Sequence, residues 1–134
     1  MIKTVIAYDI VDGVDEQEYN DWIVDVHAHD LLANPYIDRL LFDTVLRPIA
    51  SSSGGASSIT NDIVPYRVAE IHFADERAYE RALAWFEDHP IPPERGPAGR
   101  TKFYFYVLTS VVSIDRENLA SIDRTELRKP PKGR

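Results

Sequence analysis

The sequence predicts an α+β fold in which a single four-stranded antiparallel sheet carries two helices on one face. Three observations lead there. Four stretches rich in β-branched and aromatic residues alternate with two amphipathic runs in the order β-α-β-β-α-β. The chain's 134 residues are one ordinary domain's length. A composition of 44% hydrophobic and 28% charged residues supplies one core and a polar surface.

Ile2 to Val11 forms the first strand and stops at the Asp12-Gly13 turn. From Asp15 the run DEQEYNDWIVDVHAHDLL repeats apolar residues at three- and four-residue spacing, with acids crowding its first turn, which predicts a helix. Proline disfavours helical geometry in the residue before it, so this helix ends near Ala33-Asn34-Pro35. A second strand follows from about Tyr36 to Leu46, its imperfect alternation pointing to a bulge or twist. Pro48 to Asp62 is small, polar and glycine-rich, a mobile loop that is either a hairpin insertion or a lid over a pocket. Ile63 to Phe73 is the third strand, with Val68, Glu70 and His72 on one side and Arg67, Ala69, Ile71 and Phe73 on the other. Asp75 caps the second helix, whose buried stripe is Ala78, Ala82, Trp85 and Phe86. Pro90 to Pro97 breaks it, and Thr101 to Val112 is the fourth strand, with Tyr104 and Tyr106 on one side.

This order is the split βαβ, or ferredoxin-like, plan. Its domain spans 1-112, and 113-134 is a tail that is partly disordered or a cross-subunit arm. Both helices cover the same face, so the other face exposes more apolar surface than a monomer tolerates. Face-to-face packing of two copies needs only one self-complementary patch, and a homodimer is therefore expected.

A formal charge of -7 repels a phosphate backbone, and no basic aromatic patch offsets it, so no nucleic-acid partner is expected. No apolar run approaches the roughly 20 residues of a bilayer span, and Met1 leads straight into strand-like sequence. The expected location is cytoplasmic, with no membrane partner. Without cysteine there is no disulfide and no thiolate nucleophile. Neither a Gly-x-Ser-x-Gly elbow nor a nucleotide fingerprint is present, so no acyl-enzyme or nicotinamide chemistry and no cofactor is expected.

Proton transfer is what the remaining residue types can perform. His27, placed at the end of the first helix, feels the negative end of the helix dipole and titrates near neutrality, which suits a proton shuttle. The structural alternative is a surface histidine capping helix carbonyls. His29 lies about 200° further round an ideal helix, so only one of the two faces a pocket. The run His27-Ala28-His29-Asp30 lacks the spacer and closing histidine of a metallohydrolase motif, and no metal is expected. His89, in the turn after the second helix, is a candidate at the pocket mouth, whereas His72 suits a hydrogen bond at the dimer interface. Tyr8 donates a proton or holds an oxyanion if it faces the helices, and otherwise packs in the core. Arg67, on an apolar face, needs a carboxylate partner or an anionic substrate unless it lies at the solvent end of its strand. Trp22, Phe73, Trp85, Phe86 and Tyr106 are core residues that also supply flat walls for a ring-shaped ligand. Asp21 and Asp25 point outward together as a solvated face.

The stretch from Glu18 through Tyr19, Trp22, His27 and Ala28 to Asn34-Pro35, with Asp88-His89-Pro90 after the second helix, resembles the EthD-like branch of the dimeric α/β-barrel superfamily. The resemblance covers residues 1-112 and leaves the tail outside, and the serine-glycine loop and His29 depart from it. It implies a pocket between sheet and helices, as in cofactor-free cyclases, lyases, isomerases and monooxygenases acting on polyketide-like or aromatic molecules. The function expected is therefore a cofactor-independent cyclase, isomerase or lyase on a hydrophobic oxygenated molecule, polyketide-like or aromatic, in natural-product biosynthesis, with His27 moving the proton and Tyr8 or His89 stabilising the enolate. A cofactor-free monooxygenase on a phenolic substrate is the enzymatic alternative, and a non-catalytic ligand-binding or stress-related dimer is the alternative from another class.

Overall fold

The computed structural model describes residues 1-49 and 63-129. The 48-62 loop, its first two residues apart, and the last five residues of the tail lie outside them. Four strands, β1 (Ile2–Ile10), β2 (Arg39–Thr44), β3 (Arg67–Phe73) and β4 (Thr101–Ser110), form one antiparallel sheet in the order β2-β3-β1-β4. Both helical layers pack on the same face, the ferredoxin-like arrangement that the element order predicts. Among the described residues no helix is long and apolar enough to cross a membrane.

The first helix is one continuous rod in three parts: α1 (Glu16–Trp22), a π-helical turn (Ile23–His27) and α2 (Ala28–Leu32). It starts where Asp15 accepts a hydrogen bond from the Glu18 amide at 3.0 Å. It ends ahead of Asn34, which is fully buried, donates to the Ala82 carbonyl at 2.9 Å and accepts from the Tyr36 amide at 3.0 Å. That side chain turns the chain and ties it to α3 (Glu76–Asp88). The turn it builds is why β2 begins at Arg39 rather than Tyr36. The expected irregularity of β2 is absent from its pairing, which runs in register from Arg39 opposite His72 to Thr44 opposite Arg67. β3 starts at Arg67, four residues later than expected, because Pro65 has no amide to give a ladder. Asp9 instead accepts from the Tyr66 amide at 2.7 Å.

The sheet's irregularity lies between β1 and β4. Ala7 opposes Phe105 and Tyr8 opposes Phe103, so Tyr104 is an extra residue. Tyr104 and Tyr106, expected on one side, therefore part: Tyr106 stays on the helical side while the Tyr104 hydroxyl bonds Asp9.

Two apolar clusters fill the helical side. Ile2, Ile6, Ile37, Ala69, Ile71, Phe73 and Ala82 pack under α3, and Tyr8, Tyr19, Trp22 and Ile23 pack under α1. On the opposite sheet face, His72 is satisfied within its own chain. Arg39 Nε donates to its Nδ1 at 3.1 Å, and its Nε2 lies 2.8 Å from Glu70, which Lys3 also reaches at 3.0 Å. Phe105 and Val107, paired with Ala7 and Val5 on that face, remain 48% and 45% exposed.

Candidate active site

A cavity of about 160 Å³ lies between the sheet and the first helix. That is about the size of a hole that admits a single benzene ring. Phe42, Phe103 and Tyr106 are exposed at its rim, so a larger ligand extends outward past them.

Ile6, Ile23, Leu31, Leu40, Ala69 and Ile71 make its apolar floor. Its polar groups come from three elements. The helix brings His27, Trp22 and Tyr19, β1 brings Tyr8, and β4 brings Thr101 and Tyr106. Trp22 is pinned by its indole N–H, which donates to the Arg95 carbonyl at 2.9 Å, and Arg100 lies over its ring at 5.1 Å. The Pro93–Arg95 turn is in turn held to α2 by a two-pronged Arg95–Asp30 pair, both contacts 2.9 Å.

His27 does not end the helix. It sits inside the rod, stacked on Trp22 with 4.6 Å between ring centres and 18° between planes. On an ideal α-helix residues five apart point about 140° away from each other. The π turn removes that divergence, with the Ala28 amide reaching back to Ile23. Burial holds the imidazole below its ordinary value of 6.5; Asp30 opposes this and Arg100 reinforces it. The imidazole therefore does not feel a helix end, as its place in the sequence predicts, but a buried environment inside the rod. Nδ1 is buried without a hydrogen-bond partner, so a protonated ring leaves one N–H unsatisfied and gives its proton up readily. His29, as the helical spacing requires, is exposed.

Tyr8 is buried and faces the helices, stacking at an angle on Tyr19 with 6.0 Å between ring centres. The Tyr19 hydroxyl pairs with Thr101 at 2.8 Å, and burial pushes its ionisation far up, so it serves only as a neutral hydroxyl. Arg67 is the first residue of its strand, yet that end does not reach solvent. It is 7% exposed, donates to Tyr8 at 3.3 Å and to Thr44 at 3.1 Å, and lies behind the cavity wall.

Of the residues singled out from sequence, His27, Tyr8, Trp22 and Tyr106 meet at the cavity, with Arg67 touching Tyr8. The others are elsewhere. Phe73 packs edge-on against Tyr79 in the cluster beneath α3, where Phe86 also packs. Trp85 stacks on His89, which is exposed and bonds back to the Trp85 carbonyl at 2.9 Å. His89 thus closes the end of α3 and does not approach the cavity mouth; Trp85, Phe86 and Phe73 do not wall it. Sequence reasoning missed Tyr19 and Thr101. The Tyr19–Trp22 spacing already put Tyr19 on the inner stripe, but its pairing with Thr101 spans 82 positions and has no local signal. Among the described residues no three His, Asp or Glu side chains group closely enough to hold a metal ion.

No protein-family model matches the chain. No curated protein matches it either. Solved structures do. HapK from Hahella chejuensis is 10% identical, with 86% of this chain and 96% of that one covered at a TM-score of 0.56. SnoaB, a cofactor-independent oxygenase from Streptomyces nogalater, is 16% identical, with 84% and 94% covered at 0.52. A protein from Arabidopsis thaliana is 17% identical, with 85% and 90% covered at 0.54. At these identities the likeness is one of fold: the chain is an α+β protein with the ferredoxin-like fold.

Proposed function

We propose that the protein is a cofactor-independent enzyme of the EthD-like kind that relocates a proton on a hydrophobic, oxygenated aromatic or polyketide-like molecule, as a cytoplasmic homodimer in natural-product biosynthesis. The observation that carries this is an imidazole, its Nδ1 without a hydrogen-bond partner, and a phenol on the wall of one apolar cavity. In the reaction, the Tyr8 hydroxyl hydrogen-bonds an oxygen of the substrate while His27 takes the proton from a carbon next to a carbonyl, leaving an enolate. Returning that proton to another carbon isomerises the substrate. Attack of the enolate carbon on a second carbonyl cyclises it, the new alkoxide taking the proton back from His27, and expulsion of a β-leaving group, which takes that proton instead, makes the step an elimination. The depressed basicity of His27 favours return of the proton over its retention. Positioned proton transfer of this kind contributes about a hundredfold or more.

The test is solvent deuterium incorporation at C1 of 2-tetralone, followed by proton NMR. The protein is expected to accelerate exchange and the His27→Gln variant to lose that acceleration while remaining folded. Equal exchange with and without protein overturns the reading.

The likeness to SnoaB supports a second reading, a monooxygenase that holds an electron-rich phenol against dioxygen. A product heavier by oxygen from labelled dioxygen selects it over isomerisation.

A further inference from the structure

Arg67 is a buried guanidinium whose visible partners are all neutral. It donates to the hydroxyls of Tyr8 and Thr44 and lies 5.8 Å and 5.0 Å from the ring centres of Phe42 and Tyr66. Among the described residues no carboxylate lies within ion-pair distance of it. Asp9, a nearby acid, is engaged by the Tyr66 amide and the Tyr104 hydroxyl. Glu70 has its carboxylate on the opposite sheet face, where Lys3 and His72 hold it. A buried cation without a counter-charge is costly, and an anion brought alongside offsets that cost.

The path from Arg67 to the cavity runs through Tyr8. Because the Tyr8 oxygen accepts from Arg67, its own hydrogen is directed elsewhere, and its neighbours are the cavity and the Tyr19 hydroxyl. A second cation, Arg100, lies over the Trp22 ring and donates to the Gly96 and Glu94 carbonyls. The chain's -7 charge makes this local positive field a device for selection rather than long-range steering.

We infer that the molecule this cavity takes carries an anionic oxygen, a carboxylate or an ionised phenol or enol, seated on the Tyr8 hydroxyl with the Arg67 charge behind it. The inference rests on the cavity being a ligand site and names the chemistry of its ligand.

Isothermal titration of the intact protein with 2-naphthoate and with its neutral isostere naphthalene-2-carboxamide tests it. The carboxylate is expected to bind at least tenfold tighter. Arg67→Gln and Tyr8→Phe are each expected to erase that preference, with amide binding kept. Equal affinity for the two probes in the unaltered protein, or a preference that survives Arg67→Gln, overturns the anionic seat and leaves the proton-transfer reading standing. Binding of neither probe up to millimolar concentration overturns both. Should Arg67→Gln fail to fold, the unaltered protein and Tyr8→Phe decide the matter.

Discussion

The imidazole of His27 stacks flat on the indole of Trp22, five residues earlier in the same helix, because one π-helical turn separates them. An uninterrupted α-helix would send the two rings to different faces. The extra residue in the turn therefore decides that His27 lines the cavity, and the Trp22–Arg95 bond decides that the platform beneath it stays still.

Acid should lower the protein's stability in two stages. Burial sets the folded pKa of His27 below its ordinary value of 6.5, so the unfolded chain binds its proton first. The contribution of neutral His27 is complete above pH 6.5 and declines as pH falls below it. Glu70, held below 4.5 chiefly by its bond to His72, and Asp30, held below 3.8 chiefly by Arg95, add losses in the carboxylate range. Melting temperature measured from pH 8 to pH 3 is expected to show both declines, with His27→Gln removing the first. A His27→Gln profile identical to that of the unaltered protein contradicts this assignment.

Trp22→Phe removes the indole N–H and leaves the Arg95 carbonyl without its donor. The expected cost is about 1 kcal/mol, read from chemical denaturation. By loosening the cover on the imidazole, the substitution should also move the NMR-detected titration of His27 upward toward the ordinary value. An unmoved titration would mean that Trp22 does not contribute to burying the ring.

Asn34→Ala should destabilise the fold by about 2–3 kcal/mol, since it strands the Tyr36 amide and the Ala82 carbonyl in a buried turn. The denaturation midpoint is expected to fall with an unchanged slope. A loss under 0.5 kcal/mol, on the order of an ordinary surface substitution, would show that solvent replaces both bonds.

Phe105→Glu addresses the bare sheet face. If two copies bury that face, sedimentation should give a dimer for the unaltered protein and a monomer for the variant, because a charge placed in an apolar interface has no partner. A monomeric unaltered protein ends the dimer proposal.

The sequence by itself determined the element order, the Asp75 cap and the alternation of β3, because each depends on neighbours a few positions away: an apolar period, a cap, a proline. It also identified Tyr8, Trp22, His27 and Tyr106 as candidates. What only the tertiary structure decided was which of those candidates share a space. A one-residue bulge opposite Ala7 and Tyr8 sent Tyr104 away from Tyr106, and one wide helical turn swung His27 onto Trp22. Arg67 was drawn inward to Tyr8 by a contact 59 positions distant, while His89 folded back onto Trp85. A single inserted residue changes the direction of every side chain beyond it, and local spacing carries no record of where the chain absorbs one.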